Sequence, residues 1–133
     1  CKAKLSFEYN GTEPVLNDEG IIEAPIARKE GSIIERCVDE KGKYAKTSYK
    51  LLSKRNGLSL VQLKLFTGRT HQIRVHMAHI GCPLFMDNLY GTPGPQSRHA
   101  LHAFKLRFIH PVSDTPVEIT RALPQDLRKI IYY

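Results

Sequence analysis

Between Lys41 and Met86 the chain has no aspartate or glutamate, although Lys41, Lys43, Lys46, Lys50, Lys54, Arg55, Lys64, Arg69 and Arg74 all fall in that interval. Asp87 is the lone acid between Lys41 and Val112. The deficit excludes a surface of balanced ion pairs along this block and favours a polyanionic partner. Cysteine is also scarce. Cys1, Cys37 and Cys82 are odd in number, far apart and form no CxxC pair. Neither a zinc knuckle nor a disulfide framework is signalled, and reduced thiols in a cytoplasmic protein are the simplest reading. There is no run of about 18 apolar residues, so no membrane partner is expected. No signal peptide opens the chain, which begins without Met, as a fragment or trimmed protein would. GxSxG, P-loop and GxGxxG motifs are all missing, leaving acyl transfer and a nucleotide cofactor without support.

What is present suits one domain with a modest core: 133 residues, 41% hydrophobic and 25% charged. The net charge of +7 is unevenly spread. Residues 1–40 carry nine acids against five Lys/Arg, whereas residues 41–133 carry four against fifteen. The alternative, a basic face tuned only for solubility, fits poorly with one acid in so long a stretch.

The chain reads as strands with two helices. Residues 1–9 alternate as a strand, 10–20 form an acidic loop, and "IIEAPIARKEG" is a short strand broken by Pro25. "SIIERCV" is a further strand. Asn56-Gly57 is the dipeptide of a type I′ hairpin turn, and Val61, Leu63 and Leu65 share the core side of its second strand. "THQIRVHMAHIG" is a helix over 70–81, capped by Thr70, closed by Gly81 and buried along Ile73, Met77 and Ile80. A Gly/Pro-rich loop follows. Next come a strand with Phe104, Leu106 and Phe108 on one buried face, a short strand over "PVEITRAL", and a closing helix. In that helix Pro124 sits in the first turn and Leu127, Ile130 and Ile131 face inward. This is an α+β fold: a mixed, mainly antiparallel sheet with flanking helices.

The first helix lacks Lys, Asp and Glu, so it is enclosed on more than one side and Arg74 is at least partly buried. A buried guanidinium needs a carboxylate or phosphate. That partner is either a distant acid such as Asp87 or Glu118, or a catalytic carboxylate or substrate phosphate. Arg69 precedes the helix N-terminus and is a candidate phosphate contact. Lys46, Lys50 and Lys54 are further candidates for phosphate contacts. A metal site from His76, His79 and Cys82 is a weak alternative, because no HxxxH pair exists. Hydrogen-bonded histidines are the stronger reading, and no metal is expected.

"TGRTHQIRVHMAHIGCPLFMDNLYG" followed by "RHALHAFKLRFIHP" closely resembles the C-terminal half of RluA-type pseudouridine synthases, which isomerise uridine in RNA. "GIIEAPIARK" and "GKYAKTSYKLL" also resemble that family's approach to the motif. The resemblance implies no cofactor, a uridine flipped into a cleft, a nucleophilic Asp and a Tyr that helps remove the C5 proton. It implies that Arg74 pairs with the Asp and that Leu106 lines the pocket. The partner would be ribosomal or transfer RNA.

Three departures bear on activity. The family's H-R-L-D segment, which carries the nucleophile, is absent, and neither Asp87 nor Glu40 matches it. "CKAKL" overlies the K-x-Y-x-A segment with Cys1 at the tyrosine, and Met86 stands where the family usually has Gly before the aspartate that is Asp87 here. The expectation is therefore residues 1–133 as the C-terminal portion of a catalytic domain, completed by an N-terminal part with the Asp. The rival is a non-catalytic RNA-binding module derived from the same family.

Overall fold

The computed structural model describes residues 16–95 and 98–132, so the strand expected over 1–9 lies outside the described residues. The chain divides into two compact units, one ending at His99 and the other beginning at Ala100.

In the first unit, β1 (Glu19–Glu23), β4 (Lys46–Arg55) and β5 (Leu58–Leu65) form an antiparallel sheet in the order β1-β4-β5. Asn56 and Gly57 join β4 to β5 with φ of 52° and 73°, the positive pair expected of the turn. Ala24-Pro25 interrupts the first strand. The chain then resumes as β2 (Ile26–Arg28), which pairs with β3 (Arg36–Val38) in a separate two-stranded sheet. Cys37, in β3, is disulfide-bonded, against the expectation of reduced thiols; Cys82 is a free thiol.

A bulge between Leu51 and Ser53 resets the alternation of β4. Before it, Ser48 and Lys50 lie opposite Lys64 and Gln62, while Tyr49 and Leu51 lie opposite Leu63 and Val61. After it, Lys54 lies opposite Ser59, which is on the Val61 and Leu63 side. Period-two spacing alone puts Lys46, Lys50 and Lys54 together. The extra residue instead carries Lys54 to the other face.

Helix α1 (Gln72–His79) is shorter than expected at its start: His71, at φ 57°, occupies the N-cap position in place of Thr70. Its end matches the Gly81 expectation. The Gly81 N–H donates to Ala78 O at 3.1 Å and the Cys82 N–H to Met77 O at 2.9 Å, closing a Schellman motif around Gly81 at φ 83°. One side of α1 packs Met77 with Ile22 and Ala24, and Ile73 and Ile80 border that cluster. The other packs Val75 with Ile26 and Ala45. Burying Val75 and Met77 contributes about 1.5–3 kcal/mol each. Enclosure on two sides is why the helix carries so few charges.

Between the two clusters runs a polar network. His76 is fully buried; its Nε2 lies 2.9 Å from Ala24 O and its Nδ1 2.9 Å from Thr47 Oγ1. A carbonyl only accepts, so Nε2 carries the proton and the Thr47 hydroxyl donates to Nδ1. Gln72 Nε2 donates to Thr47 Oγ1 and to Lys46 O, both at 3.0 Å. Gln72 Oε1 accepts from the Thr67 hydroxyl and the Arg69 N–H, both at 2.9 Å. Both His76 nitrogens are engaged, and no metal-binding cluster occurs among the described residues, so the His76, His79, Cys82 site is not formed.

The second unit pairs β6 (Lys105–Ile109) with β7 (Pro116–Thr120), followed by α2 (Gln125–Tyr132). Leu106 lies opposite Ile119 and Phe108 opposite Val117, so the expected apolar face exists. It is not buried: Leu106 is 57% exposed. A two-stranded hairpin presents both faces, and this one stays largely open. In α2 Leu127 is buried as expected, and the Pro124 carbonyl accepts the Arg128 N–H at 3.0 Å. All described strand pairings are antiparallel, and the fold is α+β. Among the described residues no helix is long and apolar enough to cross a membrane.

Burial, opposed in part by the bond to Ala24 O, lowers the His76 pKa below its ordinary 6.5. The unfolded chain then binds the proton more readily. His76 contributes fully above pH 6.5 and progressively less as the pH falls below it. His76→Ala is expected to cost about 2–4 kcal/mol, since it leaves a cavity, a buried carbonyl without its donor and the Thr47 hydroxyl proton without its acceptor. It is also expected to flatten this pH dependence, as read by urea unfolding on both sides of pH 6.5.

Candidate active site around Arg74

Arg74 leaves the flank of α1 toward the turn that follows the helix. Its Nε donates to Asp87 Oδ2 and its Nη2 to Asp87 Oδ1, both at 2.8 Å. This is a side-on bidentate pair, and of the two partners weighed from sequence it is Asp87, not Glu118, that is engaged. Glu118 instead pairs with Lys105 and Arg107 in the second unit.

Asp87 is held from the other side too. Its Oδ1 accepts the Leu89 N–H at 3.0 Å and the Tyr90 N–H at 3.1 Å. The preceding Met86 is buried and adopts φ 57°, the left-handed backbone that the family's usual glycine takes freely. Gly94 makes room for it: a β-carbon there would collide with Met86 Cγ. Burial pushes the Asp87 pKa up, but Arg74 and the two backbone N–H groups outweigh it and hold the carboxyl at about 2. With no exposed surface and both oxygens engaged, Asp87 is a counter-ion. It is not placed to attack a substrate.

The face of the guanidinium is covered by Tyr90, whose ring centroid lies 4.9 Å from Arg74 Cζ. The Tyr90 oxygen accepts the Arg36 N–H at 2.8 Å and lies 2.7 Å from His71 Nδ1. Burial raises the Tyr90 pKa, so the phenol stays protonated and its O–H donates to His71. Burial, then the charges of Arg74 and Arg36, lower the His71 pKa, which keeps Nδ1 free to accept. His99 is likewise held neutral by burial and then by Arg74. Arg74 thus has one edge on Asp87 and one face on Tyr90. Among the described residues its Nη1 donates to nothing, and the side chain keeps 14% exposure.

The other candidates do not converge here. Arg69 Nε donates to Tyr44 O at 2.9 Å, tying the loop before α1 to the start of β4. Lys46 pairs with Glu23 at 3.3 Å on the sheet face it shares with Lys50. Lys54 lies on the opposite face, where its charge reaches Cys82. Leu106 belongs to the second unit. Sequence reasoning missed Tyr90 and His71. The Asp87-to-Tyr90 spacing of three was a usable signal, because one turn returns both side chains to the same arginine.

Residues 8–79 match the family model described as RNA pseudouridylate synthase. The chain belongs to that family. It is 46% identical over 114 residues to YjbO of Bacillus subtilis, an uncharacterized RNA pseudouridine synthase, covering 85% of this chain and 40% of YjbO. It is 34% identical over 146 residues to ribosomal large subunit pseudouridine synthase D of Pasteurella multocida, covering 98% of this chain and 45% of that protein. In three dimensions it is similar to human RNA pseudouridylate synthase domain containing 1, with TM-score 0.71 and 29% identity over 81% of this chain and 49% of the other. The chain therefore spans less than half the length of these relatives.

Asp87→Asn keeps the size of the side chain and strands a guanidinium with little access to water. It is expected to cost about 3 kcal/mol in unfolding experiments near neutral pH. The folded pKa of about 2 lies below the ordinary 3.8, so the wild-type advantage is whole above pH 3.8 and fades as the pH falls toward 2.

Proposed function

We infer that this chain is the C-terminal portion of the catalytic domain of an RNA pseudouridine synthase, and that Arg74 acts in its active site. The observation that supports this reading is the half-satisfied guanidinium: Asp87 and Tyr90 immobilise Arg74, yet among the described residues its Nη1 edge donates to nothing and can take a second anion. That edge suits a nucleophilic aspartate from the remainder of the domain. Pairing would keep the aspartate ionised and aligned for attack. The aspartate bonds to C1′ as the N1–C1′ bond of the target uridine breaks, the base turns, C5 bonds to C1′ and displaces the aspartate, and the C5 proton departs as N1 gains one. The family resemblance gives Leu106 a pocket-lining role, and its exposed side chain is available for it.

The substrate is ribosomal or transfer RNA. The names of relatives such as the Pasteurella multocida enzyme favour large-subunit ribosomal RNA. Lys46 and Lys50 on one sheet face, and Arg69 beside α1, contribute phosphate contacts. The saturated Asp87 supports a narrower reading for these residues by themselves: they bind RNA, and turnover needs the aspartate from the remainder of the domain.

In the complete enzyme, Arg74→Ala is expected to reduce tritium release from RNA labelled at uridine C5 by about a hundredfold or more. RNA affinity should change only a few-fold. Turnover equal to wild type would overturn the pairing role.

A further inference from the structure

The sheet face turned away from α1 takes no part in the Arg74 site. Tyr49 and Leu63 point toward α1 and pack around Met77, so their neighbours Ser48, Lys50, Gln62 and Lys64 point the other way. Phe66 stands at the end of this outer face. Its N–H donates to Lys46 O at 3.1 Å, which carries the β4–β5 ladder one position beyond Leu65. By alternation its ring emerges on the side of Lys64, and it is 51% exposed. The Lys46 and Lys64 ammoniums lie 5.0 Å and 5.1 Å from the ring centroid. Glu23 meets Lys46 at 3.3 Å, leaving the cluster with a net positive charge.

The plain alternative is an exposed ring covered by two lysine stems. Exposed cation–π contacts are weak, however, and a nucleobase stacks on an aromatic face more strongly than an ammonium sits on one. The lysines can therefore swing off the ring onto phosphates when a base arrives. A single-stranded RNA supplies both a flat face and flanking anions. An acidic peptide supplies carboxylates and nothing to fill the plate.

We propose that Phe66, Lys46 and Lys64 form a stacking subsite for an unpaired RNA base, with the ring under the base and the ammoniums on its neighbouring phosphates. The subsite rests on the RNA reading above. It takes a nucleotide flanking the target uridine, since Arg74 lies on α1 at the opposite face of the sheet.

The test compares Phe66→Ala, Phe66→Tyr, Lys46→Gln and Lys64→Gln in the complete protein, after confirming that melting temperatures stay at the wild-type value. Affinities are measured for oligouridylate and for an abasic ribose-phosphate oligomer of equal length. Phe66→Ala should weaken oligouridylate binding by roughly fivefold or more, and Phe66→Tyr should restore it. The abasic oligomer should bind both alike. Each lysine variant should reduce the slope of log affinity against log salt by about 0.7.

Unchanged oligouridylate affinity in Phe66→Ala, as when the rest of the protein covers the ring, would overturn the subsite. So would an equal loss for the abasic oligomer, or competition by polyglutamate as effective as by oligouridylate. Tritium release separates the two ideas. Stacking without any turnover in the wild-type enzyme would remove the synthase reading and leave the subsite standing. Turnover with no effect of Phe66 would do the reverse.

Discussion

The first unit is organised around one buried charge that needs an opposite one. Arg74 sits on a helix enclosed on two sides, so its guanidinium cannot be left to water. Asp87 answers it through a fixed bidentate contact, and two backbone N–H groups fix Asp87 in turn. The turn at Met86, the space at Gly94 and the ring of Tyr90 all serve that pair. A side-on contact occupies Nε and Nη2, and among the described residues Nη1 donates to nothing. The same interaction therefore stabilises the fold and presents an oriented donor, which is what preorganisation in an active site requires.

Next to this charged pair, the neutral network through His76, Thr47 and Gln72 does a different job. It links β1's exit, the start of β4 and the loop before α1 by hydrogen bonds whose directions are set by one carbonyl, Ala24 O. The helix that carries Arg74 is thereby seated against the sheet without adding charge to a site already crowded by Arg36 and Arg74. Two histidines near Arg74, His71 and His99, are also kept neutral by burial and by those cations.

Much of the local structure was legible from residue order, because it depends on neighbours within one turn of chain. Asn56-Gly57, the Gly81 closure, the strand break at Pro25 and the enclosed character of α1 all follow from φ preferences or from composition. The misreadings involve longer range. Thr70 looked like a cap, but His71 is drawn into a left-handed conformation, where its ring meets Tyr90 19 residues away. Lys54, named with Lys46 and Lys50 for its charge, is turned to the other face by one bulged residue. The Phe104, Leu106, Phe108 face was correctly phased yet is open, since alternation specifies which side is apolar and not what lies against it.

The sequence by itself determined the family, the α+β class, the basic block and the singling out of Arg74. These rest on residue types at fixed spacing, and spacing survives without coordinates. Only the tertiary structure decided that Arg74's in-chain partner is Asp87, that Asp87 is too thoroughly bonded to serve as a nucleophile, and that His76 is a structural donor with no valence for a metal. Pairing between residues 13 or 52 positions apart is chosen by which elements pack together, as with Arg74 and Asp87 or His76 and Ala24. A carboxylate's reactivity then depends on how many donors the fold brings to its oxygens.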